Sequence, residues 1–315
     1  MPHKTTAVTM YFDLTKVKDR NGQVRDPSFY MEHGKATLSL AYPMVIFCDE
    51  TTLPLIKAIR LAAVPDESLS TYVVKNITEY DFYKENIDII LENRKGLAHY
   101  VNSRNTASYC ILTTFKTNAL YIAKQLNPYQ SDFYAWVDFG GSHILRKFTE
   151  YVPKLLENPR PRVTLCYIHF RGAQELQSMK AFLREGGPCG LAATCFTVEA
   201  TYMNRWFNAI QSIFHEKLLN GVCHSDEQIM TYVYHRYPEL CTIYYGDYYS
   251  VAENYHEPRN DYHAIRWFFI DKCMQKGRLD LAKVAAEAVL YSAAQNWMTL
   301  TNEQKQDLQN NVLSR

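Results

Sequence analysis

The chain has 315 residues and a formal net charge of +1, with lysines and arginines scattered along it. That argues against nucleic acid as the main partner, because such proteins usually show a basic excess or stripe. Hydrophobic residues make up 47% of the chain, which supports a sizeable core and excludes wholesale disorder, and the length suits one large domain or two intimate ones.

In chain order, Thr6 to Leu14 reads as a strand that ends at Asp13. Tyr42 to Glu50 is a second, ending in Asp49 and Glu50. Ser70 to Ile77 is a third, and Phe133 to Asp138 a fourth. Their continuous apolar, β-branched and aromatic runs suit strands covered on both faces, as in parallel sheets. A helix follows the second strand in "TLPLIKAIRLAA". A long one starts at a Ser103 cap and ends before Pro128. This rhythm predicts an α/β sheet with right-handed crossovers, and ligands of such sheets bind beyond the carboxyl ends of the strands. Asp13, Asp49 and Asp138 all stand at those ends.

The second half reads as a strand over Pro161 to Phe170, a helix, the loop "REGGPCG", and a strand over Leu191 to Ala200. Two helices follow, in "YMNRWFNAIQSIFHEKLLNG" and "SDEQIMTYVYHRYPEL", then a strand in "CTIYYGDYYS". From Asp261 the chain reads as helical. The expected division is therefore a main domain over 1–260 and a C-terminal helical extension over 261–315, with both halves of the main domain sharing one mixed sheet. No internal repeat or low-complexity linker interrupts them.

Several familiar chemistries lack their sequence marks. There is no Gly-x-Gly-x-x-Gly after the first strand, no Gly-Lys-Ser/Thr phosphate loop, no Gly-x-Ser-x-Gly and no His-Glu-x-x-His. The eight cysteines form no Cys-x-x-Cys pair, so buried reduced thiols are expected rather than structural zinc. The first residues lack a signal-peptide pattern and no apolar run approaches the roughly 20 residues of a membrane helix. The expectation is a soluble protein of a reducing, cytoplasmic compartment, its oligomeric state unread. The 24 tyrosines serve core packing by default and stacking on sugars or bases otherwise.

The candidate chemistry centres on "YAWVDFGGSH", where a buried strand ends on Asp138 and opens a glycine loop. Asp138 is either a cap or a carboxylate for Mg²⁺ or Mn²⁺, which prefer oxygen ligands and also grip diphosphate. Gly140 and Gly141 give a ligand room to approach the backbone. In "HSDEQIM", Ser225 and Gln228 fit a capping box, with Asp226 and Glu227 suiting the positive helix start. Alternatively those acids face the cleft and take a proton from an acceptor hydroxyl. His256 is a solvated loop histidine or a metal ligand. Gly187 marks a turn or a sugar contact. Lys116 lies on a solvated helix face or neutralises phosphate.

Taken together, "TMYFDL", "YPMVIFCDE", the Lys116 helix leading through "LNPYQSDFYAWVDFG", "GGPCG" and "HSDEQIM" resemble the HtrL/YibB-like family, related to glycosyltransferases of the GT-A fold. The resemblance spans roughly Thr5 to His256. It implies a GT-A-like, Rossmann-like α/β fold, a mixed and mostly parallel sheet flanked by helices. It also implies a nucleotide-sugar donor, such as a uridine diphosphate sugar, a carbohydrate acceptor, and a divalent cation at the diphosphate. The Asp-x-Asp of such enzymes falls here on Asp138-Phe139-Gly140, with one acid. On that resemblance Asp138 and His256 would hold the metal. Thr9, Tyr11 and Asp49 would line the nucleoside pocket, Lys116 and Gly187 would meet the donor, and Asp226 or Glu227 would face the transferred sugar and acceptor. A catalytically silent nucleotide-sugar or glycan-binding protein of the same fold is the alternative. A methyltransferase is disfavoured by the missing glycine-rich first loop.

Overall fold

A computed structural model describes residues 5–17, 26–95, 106–171, 190–219, 221, 226–255, 262–296 and 298–315. Its first strand, β1 (Thr5–Tyr11), is buried throughout. Both faces are covered, since Val8 and Met10 enter one hydrophobic cluster while Ala7 and Tyr11 enter another. β2 (Met44–Cys48), β3 (Ser70–Val74), β4 (Phe133–Val137), β5 (Val163–Tyr167), β6 (Cys195–Glu199) and β7 (Cys241–Tyr245) complete one sheet, in the order β3-β2-β1-β4-β6-β5-β7. β1 runs parallel to β2 and β4, with Val8 opposite Val45 and Trp136. β6 alone is reversed, antiparallel to both β4 and β5. This is the mixed, mostly parallel sheet flanked by helices that the sequence leads one to expect.

The carboxyl ends of β1, β2 and β4 therefore share one edge, and Asp13, Asp49 and Asp138 come together there. On one face pack α3 (Asp81–Lys95), α4 (Ala107–Leu126), α6 (Met203–Leu219) and α7 (Asp226–Arg236). On the other pack α1 (Pro27–Leu38), α2 (Leu53–Ala63) and α5 (Phe148–Glu157). α4 starts at Thr106, whose side chain accepts from the Tyr109 amide. It ends at Asn127 in the left-handed conformation, φ 39°, just before Pro128. The expected Ser103 cap lies outside the described residues.

Most strands are shorter than the apolar runs suggest. The helix expected over "SDEQIMTYVYHRYPEL" stops at Arg236 and gives way to a 3₁₀ turn at Pro238–Leu240. Pro238 cannot donate to the helix and forces its predecessor out of the helical region. α1, α3 and α5 are additions to the sequence reading. α1 buries only Gly34, Thr37 and Leu38, so it lacks apolar periodicity. α5 carries an internal Pro153 and starts after Lys147 in a left-handed conformation. The helix expected after β5 and the loop "REGGPCG" up to Cys189 lie outside the described residues.

The C-terminal segment opens at Tyr262–Ala264, passes through a π-helical turn at Ile265–Ile270 and continues over Asp271–Gln275. It then forms α8 (Leu279–Ala294), α9 (Asn302–Leu308) and a last π-helical turn at Gln309–Leu313. Phe269 anchors it to the sheet, with ring centroids 4.3 Å from Tyr245, 5.2 Å from Tyr167 and 5.5 Å from Phe170. Cys48, Cys110, Cys166, Cys195, Cys241 and Cys273 are buried free thiols, while Cys189 and Cys223 lie outside the described residues. No helix among the described residues is long and apolar enough to cross a membrane.

Candidate functional site

Beyond the carboxyl ends of β1 and β4 lies a cleft of about 250 Å³. Its walls are largely aromatic, formed by Tyr11, Tyr30, Tyr109, Trp136, Phe139, His143 and Tyr248, and Asp13, Lys116 and Asp138 supply charge. Tyr11 stacks on Phe139 at 5.0 Å and tilts against Tyr30 at 5.9 Å. Burial pushes the Tyr11 and Tyr109 phenols well above their ordinary range, so both stay neutral hydroxyls. Rings and hydroxyls in this arrangement suit a nucleoside or a sugar, which offers faces to stack on and groups to hydrogen-bond.

Asp138 is fixed from several sides. The Trp136 indole donates to its Oδ1 at 2.6 Å, and the Lys116 ammonium lies 2.9 Å from the same oxygen. Its backbone amide donates to the Thr194 carbonyl at 2.9 Å, which ties it to the start of the reversed β6. From the other face, the Thr37 hydroxyl of α1 donates to the carbonyls of Asp138, at 3.2 Å, and Phe139, at 3.0 Å. Gly34 makes the close approach of α1 feasible, because a Cβ there would stand 2.2 Å from the Phe139 ring. Oδ2 has no hydrogen-bond partner among the described residues, and the side chain is 29% exposed.

Lys116 is buried rather than solvated. Its Nζ lies 2.9 Å from Asp138 Oδ1, 2.9 Å from Asp226 Oδ2, and 3.2 Å from the Ala193 carbonyl. Burial acts to lower its pKa, but the two carboxylates outweigh that, so it stays protonated. Burial raises the Asp226 carboxyl above the usual range, opposed by the ammonium beside it. The Asp226 contact is an ion pair outside hydrogen-bond direction.

The expected site residues divide among several places. Tyr11, Lys116 and Asp138 line the cleft. Asp226 and Glu227 are buried at the first turn of α7 and do not line it, and Asp226 meets Lys116 from behind. Thr9 is buried in the middle of β1. Asp49 closes its own turn: Oδ1 accepts from the Thr51 and Thr52 amides, each at 2.9 Å, and from the Thr51 hydroxyl at 2.6 Å. Its Oδ2 accepts from the Asp13 amide at 3.3 Å. Gly187 and His256 lie outside the described residues. Tyr30, Tyr109 and Tyr248 are cleft residues that the sequence reading did not single out. Only the tyrosine abundance hinted at them.

Among the described residues no three His, Cys, Asp or Glu side chains converge as a metal cluster. Asp138 nonetheless fits one kind of cation site. Mg²⁺ is commonly held by one or two carboxylates, with substrate phosphates and water completing its shell, and Asp138 presents one immobilised carboxylate oxygen of that kind.

The chain belongs to the HtrL_YibB family, whose model matches residues 3–256 under the description "Bacterial protein of unknown function (HtrL_YibB)". No curated protein matches it. Among solved structures it is similar to core-mannan synthase A (CmsA/Ktr4) from Aspergillus fumigatus in an Mn/GDP form, at 11% identity over 76% of this chain and 72% of that one, TM-score 0.45. It is similar to mouse xyloside xylosyltransferase 1 in apo form, at 10% identity over 76% and 84%, TM-score 0.39. A third is 4-diphosphocytidyl-2C-methyl-D-erythritol synthase from Anaerococcus prevotii, at 12% identity over 83% and 93%, TM-score 0.34. Likeness at this level does not bear on activity.

Proposed function

We propose that the chain is a glycosyltransferase of the hexosyltransferase type. It moves a sugar from a uridine diphosphate sugar to a carbohydrate acceptor, in glycan biosynthesis in the cytoplasm, with Mn²⁺ or Mg²⁺ at the donor's diphosphate. One observation carries this reading: a single carboxylate, Asp138, is locked at the sheet's carboxyl edge with one oxygen left for a ligand in an aromatic-walled cleft.

In this reading Tyr11, Tyr30 and Tyr109 pack the nucleoside and sugar, and Asp138 Oδ2 holds the cation, with His256 a further ligand. Gly187 meets the sugar. A bound divalent cation would offset the negative charge that develops on the departing diphosphate. Lys116 acts on Asp138, because its ammonium is already enclosed by protein oxygens of Asp138, Asp226 and Ala193. Asp226 and Glu227 work from behind the wall, Asp226 by holding Lys116. Asp13, the other acid lining the cleft, is the candidate to receive the acceptor's proton. Thr9 and Asp49 shape the floor and the β2–α2 turn beside the nucleoside.

The test is release of nucleoside diphosphate from a panel of nucleotide sugars, with and without acceptor glycans, in Mn²⁺ or chelator. Turnover with one donor family, lost on chelation and in Asp138→Ala, is the expected result. The single acid of Asp138-Phe139-Gly140 and the burial of Asp226 favour a second reading, a silent nucleotide-sugar or glycan-binding protein. Metal-linked donor binding without any turnover would select it. Neither binding nor turnover would remove both.

A further inference from the structure

Lys116 is the one charged residue within the first seventeen positions of α4, from Ala107 to Ala123, and it sits in a shell of oxygens. Asp138 Oδ1, Asp226 Oδ2 and the Ala193 carbonyl lie 2.9, 2.9 and 3.2 Å from its ammonium. They come from the end of β4, the first turn of α7 and the run before β6, so three separate elements converge on one point. Two carboxylates and a backbone carbonyl are the hard oxygen donors that Mg²⁺, Mn²⁺ and Ca²⁺ select. Divalent ions hold such oxygens at about 2.0–2.6 Å, a short inward movement from the present distances.

The Asp226 oxygen has no directed hydrogen bond in this shell although it is buried. It faces the ammonium as an anion faces a cation. A buried ion pair adds little net stability over well-packed apolar residues, so packing alone gives this cluster little reason to exist.

We propose that the Lys116 ammonium is a resident cation filling a three-oxygen cation site built by Asp138, Asp226 and Ala193. It keeps divalent metal out from between the two acids, so that a metal meets Asp138 only from the cleft side. Asp226 is then a positioning residue. The occupied shell stands independently of the transferase reading; only the approach of metal from the cleft rests on that reading.

Removing the ammonium should turn the shell into a metal site. The test is a Mn²⁺ titration followed by electron paramagnetic resonance, without nucleotide, on the full chain as wild type, Lys116→Ala and the Lys116→Ala/Asp226→Asn double variant. Lys116→Ala should bind one Mn²⁺ roughly tenfold or more tighter than wild type, because affinity follows the charge of the ligand set. Its melting temperature should rise with Mn²⁺ by linkage, and this readout survives if the variant is destabilised in chelator. The double variant should lose the gain.

The proposal is overturned if Lys116→Ala neither binds Mn²⁺ more tightly than wild type nor is stabilised by it, or if the gain survives in the double variant. Tight Mn²⁺ binding by wild type that is lost in an added Asp226→Asn single variant would also overturn it. Repeating the wild-type titration with uridine diphosphate separates the two readings: a Lys116→Ala gain without nucleotide-linked Mn²⁺ binding in wild type would defeat the donor assignment and leave the resident cation standing.

Discussion

Two clusters in this protein have the same composition, one cation between two aspartates, yet differ in solvent access and role. At the cleft, Lys116 is held between Asp138 and Asp226, with side-chain exposures of 9% for the lysine and 5% for Asp226. In the C-terminal segment, Arg266 is held between Asp271 and Asp307. Its Nε donates to Asp307 at 2.7 Å, and the Tyr262 hydroxyl donates to the same carboxylate oxygen at 2.6 Å. There the side chains are 18% exposed for Arg266 and 29% for Asp307.

The arginine cluster ties the π-helical turn to α9 across the surface, using a planar fork suited to carboxylates. The lysine is a point charge taken almost wholly out of water. Its two acids compensate that desolvation, and one of them also faces the cleft. Solvent access is what separates a surface clamp from a charge cluster whose members cannot be removed singly.

Deleting the buried cation is the harshest test of that contrast. Lys116→Met leaves the buried Asp226 carboxylate, and the partly exposed Asp138 beside it, without their cation and should cost about 3–5 kcal/mol in chelator, read by urea denaturation. A loss like that of a surface pair would mean that Asp226 is held by something else. Next in size, Gly34→Ala drives a Cβ into the Phe139 ring, 2.2 Å away. Overpacking of this kind costs about 1–3 kcal/mol, and because α1 holds the Asp138 carbonyl through Thr37, donor binding should weaken with it. Unchanged stability and binding would show that the Asp138 loop does not depend on α1.

Asp307→Asn should cost about 1 kcal/mol at most, as expected of a partly exposed pair. That loss should shrink in roughly 1 M salt, where charges are screened within about 3 Å, whereas the Lys116→Met loss should barely change. The acid limb gives the finest distinction. Arg266 is the leading cause holding the Asp307 carboxyl below its ordinary range. Its contribution is therefore complete above the unfolded value near 3.9 and fades as pH falls toward the folded value. The stability gap between wild type and Asp307→Asn should narrow from about pH 6 to about pH 3. A gap that widened would contradict the assigned sign.

The sheet's carboxyl edge was legible because local rules determine it. A continuous apolar run that ends on an acid reads as a two-face-covered strand with a polar terminus, and Asp138 is found there. Asp49 obeys a local rule as well, but a different one. Followed by Thr51 and Thr52, it bonds its own turn, a pattern the sequence contained and the pocket reading passed over. Strand direction was not legible, since β6 carries the same kind of apolar run whichever way it lies. α1 escaped because its fully buried positions are Gly34, Thr37 and Leu38, with Tyr30, Met31 and Ala36 only partly buried against the core. The pairing of Lys116 with Asp226 depends on elements brought together only by the fold. The available signal was a lone charge amid threonines and apolar residues in "ILTTFKTNAL", a poor fit for a solvated face.

The central claim is that the cleft above Asp138 takes a nucleotide diphosphate sugar. The measurement that tests it most directly is thermal melting of wild type and Asp138→Ala against a panel of nucleotides and nucleotide sugars, each with Mn²⁺ and with chelator. A ligand that binds only the folded state raises the melting temperature. A metal-dependent rise with the uridine family in wild type, absent in Asp138→Ala, is the expected result. A well-folded wild type that no nucleotide shifts, or an Asp138→Ala that shifts as far as wild type, would contradict the assignment.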